Sequence, residues 1–140
     1  MYILDTNLIS ILERRGVETV RLNTYLNTLP PDAIYVTVIS YEEQIRGWMA
    51  ALGAAQNSAA QVRPYARLTM QLDNYCNLQI LPFDEKAAAE YETLRPSHRR
   101  TSSPDLKIAA IALVNSATLI TQNIRDFDTI VGLKLKDWSR

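Results

Sequence analysis

Short runs of β-branched and apolar residues alternate with longer helix-forming stretches along the chain, and that alternation constrains the fold more than any other feature. Tyr2 to Leu4, Ala33 to Ile39, Leu78 to Leu81 and Thr118 to Thr121 read as strands. Helix-starting residues follow the first three: Asp5-Thr6-Asn7, then Ser40, then Asp84 beyond Pro82. Lys134 to Lys136 is a candidate last edge strand. Strands that alternate with helices predict a mostly parallel central sheet covered on both faces, an α/β/α three-layer domain.

The helices are legible in outline. The first, around Leu8 to Leu12, stops at Arg14-Arg15-Gly16; the second carries Val17, Val20, Leu22, Leu26 and Leu29 until Pro30-Pro31 ends it. The helix from Ser40 has Ile45, Trp48, Met49 and Leu52 as its expected apolar face, and 54–58 is an expected break before a helix through Leu68 and Leu72. Arg95 to Pro104 reads as an exposed loop, with Pro104 opening a helix that runs to Asn115.

With 140 residues the expectation is one domain, 1–140, able to bury a proper core. A formal charge of +0 argues against a generally basic nucleic-acid coat, though a local basic rim beside an acidic centre is compatible with it. Cys76 is alone, which excludes an internal disulfide or a cysteine zinc cluster and suggests a small core residue. The short segment before Asp5 leaves no room for a signal peptide, and no apolar run approaches the roughly 20 residues a membrane span needs. The expected location is the cytoplasm.

Four acids sit where strand-like runs yield to turns or helix starts: Asp5, Glu43, Asp105 and Asp126. Each has a structural reading. Asp5 is a helix cap, Ser40-Tyr-Glu-Glu43 has the form of a capping box, Asp105 follows Pro104 in a first turn, and Asp126 and Asp128 punctuate a loop. The residues alone leave Glu42 open beside Glu43, and Asp128 beside Asp126. As a set, however, acids delivered to the carboxyl edge of one sheet would crowd together, where protons or a hard cation must neutralise them. Carboxylates without His or Cys nearby favour Mg²⁺ or Mn²⁺ over zinc and suit phosphodiester hydrolysis by an activated water.

The residues around these acids resemble the PIN-domain ribonucleases, most closely the VapC-type toxins of bacterial toxin–antitoxin pairs. The matching pieces are Ile3-Leu-Asp-Thr-Asn7, Ser40-Tyr-Glu-Glu-Gln-Ile-Arg-Gly47, Asp105-Leu-Lys-Ile-Ala-Ala110 and Thr121-Gln-Asn-Ile-Arg-Asp-Phe127, in that order through nearly the whole chain. The resemblance implies a PIN fold and a Mg²⁺- or Mn²⁺-dependent endoribonuclease. It places the catalytic acids on Asp5, Glu43, Asp105 and Asp126, with the metal on Asp5, Asp105 and Asp126. Asn7 and Thr121 match polar positions that hold the site. It also implies a homodimer and a small VapB-like antitoxin partner.

Arg14, Arg15, Arg99 and Arg100 are candidates to grip RNA phosphates, with solvated surface charge as the plain alternative. His98 reads as a solvated surface residue, and Arg46 and Trp48 as packing or dimer residues. Two rival functions are a phosphatase using Asp5 as nucleophile, which would want an acid where Asn7 stands, and a non-catalytic RNA- or protein-binding domain.

Overall fold

A computed structural model describes residues 1–139. Five strands form one sheet: β1 (Tyr2–Leu4), β2 (Ile34–Thr37), β3 (Ile80–Leu81), β4 (Thr118–Thr121) and β5 (Lys134–Asp137). Their order is β3-β2-β1-β4-β5, and every neighbouring pair is parallel. The helices are α1 (Thr6–Arg14), α2 (Val17–Leu26), α3 (Val38–Ala54), α4 (Ser58–Cys76), α5 (Glu85–Leu94) and α6 (Ser103–Val114).

The pleat divides the core. Ile3 and Leu119, paired across β1 and β4, pack with Ala87 of α5 and with Leu106 and Ile108 of α6. Leu4 and Ile120, the next pair along, point the other way and pack with Leu8 and Ile11 of α1 and Leu22 of α2. Both faces of a parallel sheet must be covered, and period-two side chains supply both. The chain reverses its lateral course between β1 and β4, so their carboxyl ends flank the switch point where open α/β sheets bind ligands.

Several sequence expectations shift. The β-branched run Ala33 to Ile39 is a strand only through Thr37; Val38 and Ile39 already belong to α3. The Thr37 hydroxyl accepts from the Ser40 amide at 3.3 Å, so Thr37 rather than Ser40 is the cap. That local hydrogen bond outweighs β propensity. The strand read at Leu78 to Leu81 shortens to β3. In α2, Val17 and Val20 are 81% and 68% exposed; the buried side chains are Thr19, Leu22 and Leu26.

In α3 only Ile39 and Ser40 are buried, and Met49 is 55% exposed. The rest of that helix packs against α4 as a hairpin standing beside the sheet, which has no deep core for the expected apolar face to enter. Cys76, expected inside, is exposed at the end of α4. His98 is half-buried, with Nδ1 2.9 Å from the Leu94 carbonyl oxygen and Nε2 3.4 Å from that of Thr129. Pro104 is the second residue of α6, which Ser102 caps.

Candidate active site

Asp5 follows β1 and caps α1. Its Oδ1 accepts from the Thr6 amide at 2.8 Å, and its Oδ2 accepts from the Thr121 hydroxyl at 2.9 Å. Thr121 ends the neighbouring β4 and is fully buried; its oxygen also accepts from the Asn123 amide at 2.9 Å. Asp5 is thus fixed across the switch point from both sides and is only 4% exposed. Burial pushes its pKa up; the Thr121 and Thr6 hydrogen bonds oppose that rise, and the charge of Asp126 adds to it.

Glu43 arrives from α3. The Thr6 hydroxyl donates to Glu43 Oε1 at 2.7 Å and lies 2.8 Å from the Ser40 hydroxyl. Thr6 has one proton to give. With that proton on Glu43, Ser40 is left to donate to Thr6, and a relay Ser40–Thr6–Glu43 ties α3 to the start of α1. The capping box read at Ser40 to Glu43 is therefore absent. Ser40 is buried and turned to α1, so both of its box partners serve the site instead. Burial raises the Glu43 pKa most; Asp5 and Glu42 raise it further, while Thr6 and Arg46 lower it. Glu42 is exposed and forms a salt bridge with Arg46, one turn on, which separates its role from that of Glu43.

Asp105 stands in the first turn of α6, where its amide donates to the Ser102 hydroxyl at 3.3 Å. Its pKa is pushed up to about 6, first by burial, then by Asp5, Glu43 and Asp126, against the lowering influence of Ser102. Asp126 closes a short 3₁₀ turn, Ile124–Asp126, beyond β4 and is exposed. Its charge reaches both Asp5 and Asp105. Four acids from four separate segments thus share one electrostatic neighbourhood at the carboxyl edge of the sheet.

The other sequence candidates divide. Arg14 lines a groove that also contains Thr6 and Glu43. Arg15, held in a left-handed conformation at φ 53° at the end of α1, lines a different hollow against α4. Arg99 and Arg100 are exposed on the loop before α6. Asn7 is exposed, and among the described residues none bonds its side chain. Sequence reasoning missed Thr6, the hinge of the whole arrangement. The available signal was a hydroxyl between Asp5 and the helix it starts, which capping alone explains equally well.

Carboxylate and hydroxyl oxygens without imidazole or thiolate suit a hard divalent cation. Acids that raise one another's pKa are the donor set such an ion stabilises. Among the described residues no three His, Cys, Asp or Glu side chains converge as a ready-made metal cage. The donor chemistry fits a cation; Asp126, exposed on its turn, is the acid with most freedom to adjust.

A parallel sheet with acids gathered at its switch point defines an α/β hydrolytic scaffold, and the comparisons identify which one. The model of the PIN domain matches residues 2–133. The chain belongs to the PIN domain family, and within it to the VapC ribonucleases. "Ribonuclease VapC1" of Haemophilus influenzae is 33% identical over 141 residues, spanning 100% of this chain and 99% of the relative. The "tRNA(fMet)-specific endonuclease VapC" of Salmonella typhimurium is 26% identical over 98% of this chain and 97% of its own length. Among solved structures, VapBC-1 from nontypeable Haemophilus influenzae matches with a TM-score of 0.76 at 26% identity, covering 99% of this chain and 98% of that one. PIN-domain ribonucleases are generally divalent-metal dependent.

Proposed function

We propose that this chain is a metal-dependent endoribonuclease, the toxin of a toxin–antitoxin pair, hydrolysing RNA phosphodiester bonds with water as the nucleophile. The observation that carries the reading is the tie between Asp5 and Glu43 through Thr6, beside an Asp105 whose carboxyl pKa is pushed up to about 6. Asp5, Asp105 and Asp126 would hold Mg²⁺ or Mn²⁺. When bound, the ion supplies charge stabilisation at the phosphoryl oxygens and a more acidic water.

The chain's own groups do the rest. Thr121 and the Thr6 amide fix the Asp5 carboxylate, and Thr6 orients Glu43. The raised pKa of Glu43 equips it to take a proton from the attacking water. Both Asp5 oxygens already accept hydrogen bonds from the protein, which suits a positioned ligand and weighs against Asp5 as the nucleophile of a phosphatase. The reading pairs the chain with a VapB-like antitoxin, which the likeness to VapBC-1 supports, and takes it to be a homodimer acting in the cytoplasm.

The test is incubation of the purified protein with total cellular RNA in Mg²⁺ and, in parallel, in EDTA. Discrete fragments in Mg²⁺ only are expected. Intact RNA in both would leave the non-catalytic binding domain as the better account.

A further inference from the structure

Beside the acids runs an open groove of about 500 Å³ between α1, α3 and α4, and it shares Thr6 and Glu43 with the site. Three arginines line it: Arg14 from α1 and Arg63 and Arg67 from α4. The last two are four residues apart, on one face of the helix, where like charges repel. Among the described residues neither forms an ion pair with a carboxylate, the one such pair being Arg46 with Glu42. Glu13 also lines the groove, but its oxygens accept from the amides of Gln44 at 2.6 Å and Gln71 at 2.9 Å. In a chain with no net charge, three arginines against the two glutamates of the groove, Glu13 and Glu43, make a local excess of positive charge.

The groove also offers a stacking surface. The Arg67 guanidinium lies over the half-buried Trp48 ring, 5.7 Å from its centroid, and donates to the Met70 sulfur at 3.6 Å, so a cationic and an aromatic group form one platform in the groove. Gly47 forms part of the α3 wall, and a Cβ placed there would meet no atom within 4 Å. Packing therefore gives α3 no reason for a helix-weakening glycine. What the missing side chain leaves clear is the groove.

We propose that this groove carries the unpaired RNA strand next to the scissile bond. Arg14, Arg63 and Arg67 contact successive phosphates, and a base stacks on the Arg67–Trp48 platform. Phosphate contacts by arginine set register, and stacking on aromatic or guanidinium planes is how single strands, rather than duplexes, are held. The inference rests on the ribonuclease reading and assigns it a substrate path that Arg15, Arg99 and Arg100 do not share.

Steady-state cleavage of a single-stranded RNA oligonucleotide tests it, with wild type, the double variant Arg63→Ala/Arg67→Ala, and Gly47→Leu. Both variants should raise KM roughly tenfold, and kcat should move less than about twofold. The double variant should flatten the salt dependence of binding by about 1.4 in log–log slope, from two lost phosphate contacts on a single strand. Gly47→Leu reaches the groove from the opposite wall and favours the helix, so it reports even if the double variant folds poorly. KM and salt slope unchanged in a cleaving enzyme would overturn the groove assignment alone. No cleavage by wild type would overturn the ribonuclease reading and the groove with it.

Discussion

At the scale of single residues, the site depends on hydroxyls as much as on acids. Among the described residues, Thr6 is the one side chain that hydrogen-bonds both the Glu43 carboxylate and the Ser40 hydroxyl, while its amide holds Asp5. Thr6→Val keeps the shape and removes both side-chain hydrogen bonds. Cleavage by that variant should fall by about 10–100-fold, the range usual for residues that orient a metal ligand or base, with an unchanged far-UV spectrum. Asp105 makes a prediction about pH. Its folded pKa of about 6 exceeds the ordinary 3.8, so the folded protein holds that proton more tightly than the unfolded chain does. The stability this brings is complete below the unfolded value and is lost as pH rises through about 6. In EDTA, Asp105→Asn should therefore melt a few degrees above wild type at neutral pH. The gap should close as the pH falls toward 4, and a gap that stayed constant across that range would contradict the assigned shift.

At the scale of elements, the strands and the cap at Asp84 were legible because runs of β-branched and apolar residues and caps are local signals. The Asp84 side chain accepts from the Ala87 amide at 3.0 Å, as its position before a helix former implies. What could not be read was where α3 begins and which way it faces. Thr37 and Ser40 are both good caps, and the choice rests on a hydroxyl partner, Thr6, from a segment 34 residues away. That choice turned Glu43 toward Thr6 and left Glu42 to Arg46, a distinction the residues alone had left open. The four acids were nameable because the residues around them resemble the PIN-domain motifs; the links between them were not, because they are contacts across the sheet.

Besides the apolar cluster that Tyr75 and Tyr41 join, the α3–α4 hairpin is docked on α1 through a polar network. Gln44 is its centre, accepting from the Tyr75 hydroxyl at 2.6 Å and donating to Glu13 at 2.6 Å. Gln44→Leu would leave a buried phenol and a carboxylate each short of a partner, and should cost about 2 kcal/mol in urea unfolding. A midpoint equal to that of wild type would show that the network does not hold the hairpin.

At the scale of the whole molecule, the topology explains why segments so far apart in sequence build one centre. With β1 in the middle and β2 and β4 on either side, the chain returns three times to the same edge, delivering Asp5, Glu43 and Asp126. α6 enters from the outer layer with Asp105 in its first turn. No helix among the described residues is long and apolar enough to cross a membrane. Net neutrality conceals a local pattern, since 15 Lys and Arg balance 15 Asp and Glu overall while three arginines line the groove beside the acids. On the function proposed above, these distant acids form one hydrolytic centre with Asp5 at its core. Single-turnover cleavage of RNA in Mg²⁺ by wild type and Asp5→Asn tests it most directly. The variant should fold normally and lose at least about 100-fold in rate; a folded Asp5→Asn protein that cuts RNA at the wild-type rate would contradict the claim.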